Sequence, residues 1–98
     1  MRVTVRVYGE LRRIAGTSQL VIAFDGKTIG ELLDHLGKVW GTKFRSRLYQ
    51  SGSELRPGLV LLANGHSIRL LDGLNTGLSD LNEIEIESVE IMETVGGG

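Results

Sequence analysis

The chain contains no cysteine, and that one absence removes disulfides, thiolate zinc sites, iron–sulfur ligation by the chain and any cysteine nucleophile. Histidine is nearly absent too: His35 falls in a helix-like pattern, His66 sits beside a turn, and no ligand-like spacing relates them. No apolar run approaches the roughly 18–20 residues of a membrane span, so no membrane partner is expected. The opening MRVTVRVYGEL alternates like a strand and does not read as a signal peptide; a cytoplasmic location is expected. No nucleophile–base pair and no phosphate loop is visible, which argues against an enzyme in its own right. Aromatics amount to two Phe, two Tyr and one Trp, too few to interleave with the basic residues Arg2, Arg6, Arg12 and Arg13 as a nucleic-acid surface would require.

What remains is 98 residues, 41% hydrophobic, enough for one domain with one modest core. The net charge of −1 conceals an uneven distribution. Arg2, Arg6, Arg12 and Arg13 make the start basic, and Lys43, Arg45 and Arg47 form a second basic cluster. Asp80, Glu83, Glu85, Glu87, Glu90 and Glu93 make the last part acidic. The i, i+2 spacing of Glu83, Glu85 and Glu87 is that of a solvent-facing strand. The chain then closes on Gly96-Gly97-Gly98. Without Cβ atoms these residues could thread a channel too narrow for side chains and present a bare α-carboxylate; an incidental, unpacked terminus is the alternative.

Val3, Val5 and Val7 alternate with Thr4, Arg6 and Tyr8, predicting a half-buried strand. Gly9 to Gly16 reads as a connection, and Leu20, Ile22 and Phe24 as a second strand, the two forming an antiparallel hairpin. Thr28-Ile29-Gly30-Glu31 fits a capping box, followed by Ile29, Leu32, Leu33, Leu36, Val39 and Trp40 on one helical face. Phe44, Leu48 and Tyr49 suggest a short second helical turn, and residues 51–58 a loop. The continuous run Leu59 to Ala63 predicts a central strand covered on both faces, and Asn64-Gly65 a type I′ turn leading into a partner strand from Ser67 to Leu71. Asp72 to Asn82 is expected to be irregular, pinned by Leu74, Leu78 and Leu81. In the last strand Ile84 and Ile86 alternate with glutamates, whereas Val89 and Ile91 fall on the opposite parity. Either a bulge near Glu87-Ser88 resets the alternation, or apolar side chains face outward.

The order strand, strand, helix, strand, strand, strand within this length predicts an α+β fold of the ubiquitin-like β-grasp type, a mixed sheet of about five strands on one main helix. The domain is expected over residues 1–93, with a flexible glycine-rich tail at 94–98. Three stretches carry a family resemblance: VTVRVYGELRRIAG at 3–16, TIGELLDHL at 28–36 and LLANGHSIRLLDGLNTGLSD at 61–80. They resemble the MoaD/ThiS-like sulfur carriers, that is, the molybdopterin-synthase small subunit, the thiamine-pathway carrier and the ubiquitin-related modifiers, especially archaeal members. The family ending is an apolar residue, Phe-Pro-Pro-Val, a small residue and Gly-Gly. Ile91, Val95, Gly97 and Gly98 match it, Gly96 stands at the small-residue position, and Glu93 and Thr94 replace the prolines. The usual Asp-Gly-Asp turn is replaced by Asp80-Leu81-Asn82-Glu83, and the segment from Glu83 to Ile91 is longer than the usual last strand.

The resemblance implies a carrier whose Gly98 carboxylate, preceded by Gly97, is adenylated by an E1-like enzyme and converted by a sulfur donor to a thiocarboxylate, with molybdopterin synthesis as the receiving pathway. ATP would be used by the activating enzyme, and no cofactor would be bound by this chain. The partners implied are that enzyme, the sulfur donor, and either the molybdopterin-synthase large subunit or target-protein lysines. The family also implies an apolar docking face near the tail, for which Tyr8, Leu59, Leu61, Val89, Ile91, Met92, Val95 and Gly96 are the candidates. Two other readings stay open: a protein modifier conjugated to lysines, and a β-grasp module that binds a partner non-covalently, its glycines incidental.

Overall fold

Val3, Val5 and Val7 are completely buried while Arg2 and Tyr8 at either end are exposed, so the period-2 pattern of the first strand is realised as one core face and one open face. The computed structural model describes residues 2–52, 54–78 and 83–88, the last of these as backbone. Strand β1 (Arg2–Tyr8) pairs antiparallel with β2 (Gln19–Ala23), as the hairpin reading expected. The connection between them is more than a loop. Glu10–Ala15 forms a short helix, α1, which buries Leu11 and ends on Gly16 at φ 78°, a left-handed position that glycine adopts without strain.

The main helix, α2 (Ile29–Trp40), starts where the capping box placed it. Thr28 Oγ1 accepts from the Glu31 backbone N–H at 3.2 Å, and the Glu31 carboxylate accepts from the Lys27 backbone N–H at 3.3 Å. Ile29, Leu32, Leu33 and Leu36 are fully buried, whereas Val39 is half exposed. Helix α3 (Thr42–Leu48) follows directly and buries Phe44 and Leu48, with Trp40 edge-on to Phe44 at 4.7 Å between ring centroids.

Residues 49–55 hold a small two-stranded ribbon, β3 (Tyr49–Ser51) and β4 (Glu54–Leu55), where part of a loop was expected. Strand β5 (Leu59–Ala63) turns through Asn64-Gly65, both at positive φ, into β6 (His66–Ser67). The partner strand stops there instead of reaching Leu71. The Ser67 hydroxyl accepts from the Arg69 backbone N–H, and a 3-10 turn takes over at Ile68–Leu70. After a second 3-10 turn at Gly73–Asn75, Thr76 and Leu78 are tied to the start of α2: the Ile29 N–H donates to the Thr76 carbonyl and the Leu78 N–H to that of Lys27. Leu78 is buried and Leu74 packs against the core; Leu81 lies outside the described residues.

Strand β7 (Glu83–Ser88) completes a five-stranded mixed sheet in the order β2-β1-β7-β5-β6, parallel to β1 and antiparallel to β5. This is the α+β, β-grasp arrangement expected, with α2 as the main helix across the core face. The β7–β5 register runs unbroken from Ile84 opposite Ala63 to Ser88 opposite Leu59, so no bulge interrupts the described part of the last strand. The expected boundary at residue 93 and the parity of Val89 and Ile91 lie outside the described residues.

Candidate functional site

Because β7 runs parallel to β1 between β1 and β5, its C-terminal end lies where β1 finishes and β5 begins. Glu87 is flanked by Tyr8 and Val60, and Ser88 is opposite Leu59. Ten residues follow Ser88, the last of them Gly98. Of the site residues expected from sequence, Val89, Ile91, Met92, Val95, Gly96, Gly97 and Gly98 lie outside the described residues. Tyr8 is found at the surface, 38% exposed, beside the end of β7.

Leu59 and Leu61 require a correction. They are only 2% and 3% exposed and belong to the core, so neither can offer a free docking surface. Among the described residues the core covers one face of β5: Leu59, Leu61 and Ala63 point inward, and Val60 and Leu62 are the half-buried residues on the other face. An unbroken apolar run carries no parity, and both faces of β5 therefore looked alike in sequence. Val60 and Leu62 are the residues that sequence reasoning missed.

The face opposite α2 thus presents Thr4, Arg6 and Tyr8 from β1, Gln19, Val21 and Ala23 from β2, and Val60 and Leu62 from β5. The register sets Glu83, Glu85 and Glu87 level with Thr4, Arg6 and Tyr8. This is an apolar and charged mixture suited to recognition.

A second feature flanks the core on the helical side. Helices α1 and α3 enclose a groove of about 760 Å³ lined by Glu10, Arg13, Ile14, Trp40, Lys43, Ser46 and Arg47. Glu10 receives a hydrogen bond from Arg13 and lies 3.5 Å from Arg47 Nη2, which joins parts of two basic clusters that are far apart in sequence. The Arg13 hydrogen bond, offset in part by desolvation and helped by the charges of Arg13 and Arg47, holds the Glu10 carboxyl below its usual range. Arg45 turns away from the groove: it donates to Asp34 at 2.6 Å and covers the Tyr49 ring at 4.8 Å. The Asp34 hydrogen bond raises the Arg45 pKa, and burial raises that of Tyr49.

Among the described residues no group of three or more His, Cys, Asp or Glu could hold a metal ion, and no helix is long and apolar enough to cross a membrane. His35 packs its ring 5.8 Å from that of Phe24, and His66 lies in β6.

The profile of the ThiS family matches residues 5–98. The chain belongs to the ThiS family. The small archaeal modifier protein 1 (SAMP1) from Methanosarcina acetivorans is similar in structure, with a TM-score of 0.76 and 30% identity over 89% of this chain and 91% of that one. Urm1 from Trypanosoma brucei has a TM-score of 0.76 at 22% identity, covering 90% of this chain and 91% of its own. CysO in the Amycolatopsis orientalis BexX/CysO complex has a TM-score of 0.73 at 22% identity, covering 89% and 94%. At those identities the last two show the fold alone. No curated protein matches the chain. Members of the ThiS family are small ubiquitin-like carrier proteins rather than enzymes, and this chain is one of them.

Proposed function

We propose that this protein carries a reactive C-terminal acyl group: the Gly98 carboxylate is adenylated by an E1-like enzyme and then converted by a sulfur donor to a thiocarboxylate, for molybdopterin synthesis. The observation that carries this reading is the parallel register of β7, which ends beside Tyr8 and leaves ten residues after Ser88, finishing in three glycines with Gly98 the last. Fully extended, ten residues span at most about 35 Å, enough to enter a partner's active site while the folded domain stays docked outside it.

In the first step a Gly98 carboxylate oxygen attacks the α-phosphorus of ATP and pyrophosphate leaves. In the second, hydrosulfide delivered by the sulfur donor attacks the acyl carbon, the acyl–phosphate C–O bond breaks and AMP leaves, which gives the thiocarboxylate and a proton. The ATP-binding and catalytic groups are the partner's. This chain supplies the docking face, with Tyr8, Val60 and Leu62 as its described anchors, and a terminus without side chains. The fold neighbour CysO occurs in a complex with BexX, which supports partner docking by such domains.

Incubation of the chain with a cognate E1-like enzyme and ATP should yield the Gly98 acyl-adenylate, detected by mass spectrometry, and a thiocarboxylate once a sulfur donor is added. No adduct with any such enzyme would overturn the proposal, as would undiminished reaction of a chain extended by one residue beyond Gly98. The 30% identity to a small archaeal modifier favours a second reading, transfer of the same activated acyl group to protein lysines. Mass-spectrometric search for Gly98 isopeptides on cellular proteins separates the two.

A further inference from the structure

Val7 donates its N–H to the Ser18 carbonyl at 3.1 Å, and this bond fixes the facing of every backbone group on β2. Antiparallel partners alternate between hydrogen-bonded and non-bonded pairs. With Val5 opposite Leu20 and Val3 opposite Ile22, Leu20 and Ile22 turn their N–H and C=O groups towards β1. Gln19, Val21 and Ala23, on the alternate positions, turn theirs away from it. The Thr17 hydroxyl agrees with this facing, donating to the Gln19 carbonyl at 3.0 Å and accepting from the Gln19 N–H at 3.4 Å. Among the described residues no strand lies beyond β2, and nothing comparable meets the outward groups of Val21 and Ala23.

The two edges of the sheet differ. On the far side β6 has two residues and gives way at once to a 3-10 turn, which leaves no ladder to extend. On the near side β2 offers five residues, Gln-Leu-Val-Ile-Ala, with no charge, no proline and no bulge in its register, and so lacks the usual protections of an edge. Leu20 and Ile22 face the core yet are only half-buried, and Val21 on the opposite face is 50% exposed.

We infer that β2 is a self-association edge, pairing antiparallel with β2 of a second copy about a two-fold axis at Val21. In that register Val21 meets the partner's Val21 as a hydrogen-bonded pair, and Gln19 meets the partner's Ala23. On the core face Leu20 lies opposite the partner's Ile22, and Ile22 opposite the partner's Leu20, each an apolar cross-strand pair. The strand meets its own copy without bringing like charges together. A blunt β6 edge prevents the head-to-tail growth that an open sheet would otherwise allow, so the contact is isologous and closes as a dimer. The two-fold axis sends the C-terminal ends of the two β7 strands in opposite directions, and neither lies at the joint.

One strand pair is a small interface, so dissociation is expected at roughly 0.1–1 mM. Sedimentation equilibrium of the full chain between about 10 μM and about 1 mM should show a monomer–dimer equilibrium. Amide exchange should slow with concentration at Val21 and Ala23 and stay constant at Leu20 and Ile22. Val21→Pro removes the outward N–H without touching the β1 ladder and should weaken association at least about tenfold. Val21→Lys tests the same edge by charge should the proline variant fail to fold. A chain that stays monomeric over the whole range overturns the inference, as does a dimer in which Val21 and Ala23 exchange is unchanged or which Val21→Lys leaves intact.

Discussion

The Arg69 side chain holds the backbone leading into β5: its Nη2 donates to the Pro57 carbonyl oxygen at 2.9 Å and lies 3.4 Å from the carbonyl oxygens of Arg56 and Leu59. Leu59 is opposite Ser88, so this contact braces the strand that flanks the end of β7. Arg69→Met keeps most of the aliphatic stem and removes the donors. The expected outcome is a loss of about 1 kcal/mol in chemical denaturation and faster amide exchange at Leu59, whose N–H bonds the Arg56 carbonyl at 3.1 Å. Unchanged exchange there would contradict the bracing role.

Thr28 caps α2 and Glu31 closes the box from the other side. Thr28→Ala should cost about 1 kcal/mol, read from the denaturation midpoint at constant slope. Thr28→Ser, which keeps the hydroxyl, should recover most of that loss.

That helix was legible in the sequence because its cap and its buried residues Ile29, Leu32, Leu33 and Leu36 agree on one period over about two turns. Helix α1 was not, since six residues holding Leu11 and Ile14 are too few to show a period; what places them is the close packing of α1 on β1 and α3. The β6 strand was overextended for a related reason. Ile68, Leu70 and Leu71 look like strand residues, but Ser67 caps a 3-10 turn that leaves Leu70 84% exposed. The basic groove was hidden because Arg13 and Arg47 are brought together only by α1 packing on α3. The β1–β2 hairpin and the Asn64-Gly65 turn were readable because both are local.

Glu10 provides a pH test. Its folded pKa is lowered mainly by the Arg13 hydrogen bond, so the stabilisation is present above the unfolded glutamate value and is lost as pH falls through the folded one. Thermal midpoints of wild type and Glu10→Gln should therefore differ at neutral pH and converge on acidification below the ordinary glutamate range. The difference should shrink in high salt, because the pairs with Arg13 and Arg47 are at the surface. A gap that stays constant down to strongly acidic pH would show that the Glu10 carboxylate is not the source of the difference.

The two faces of β5 separate folding from docking. Leu61 is buried against the core and Leu62, its neighbour, lies half-buried on the opposite face. Leu61→Ala should cost about 2–4 kcal/mol, because it removes a packed side chain and leaves a cavity, and any loss of activation should follow the fraction unfolded. Leu62→Ser should change stability by less than about 1 kcal/mol, since its side chain is already partly in water. If the outer face receives the activating enzyme, Leu62→Ser combined with Tyr8→Ala should lower kcat/KM for adenylation by about tenfold or more. The drop should appear mainly in KM, because residues that only dock the domain bind ground state and transition state alike. Equal kcat/KM for the double variant and wild type would remove this face from the docking surface.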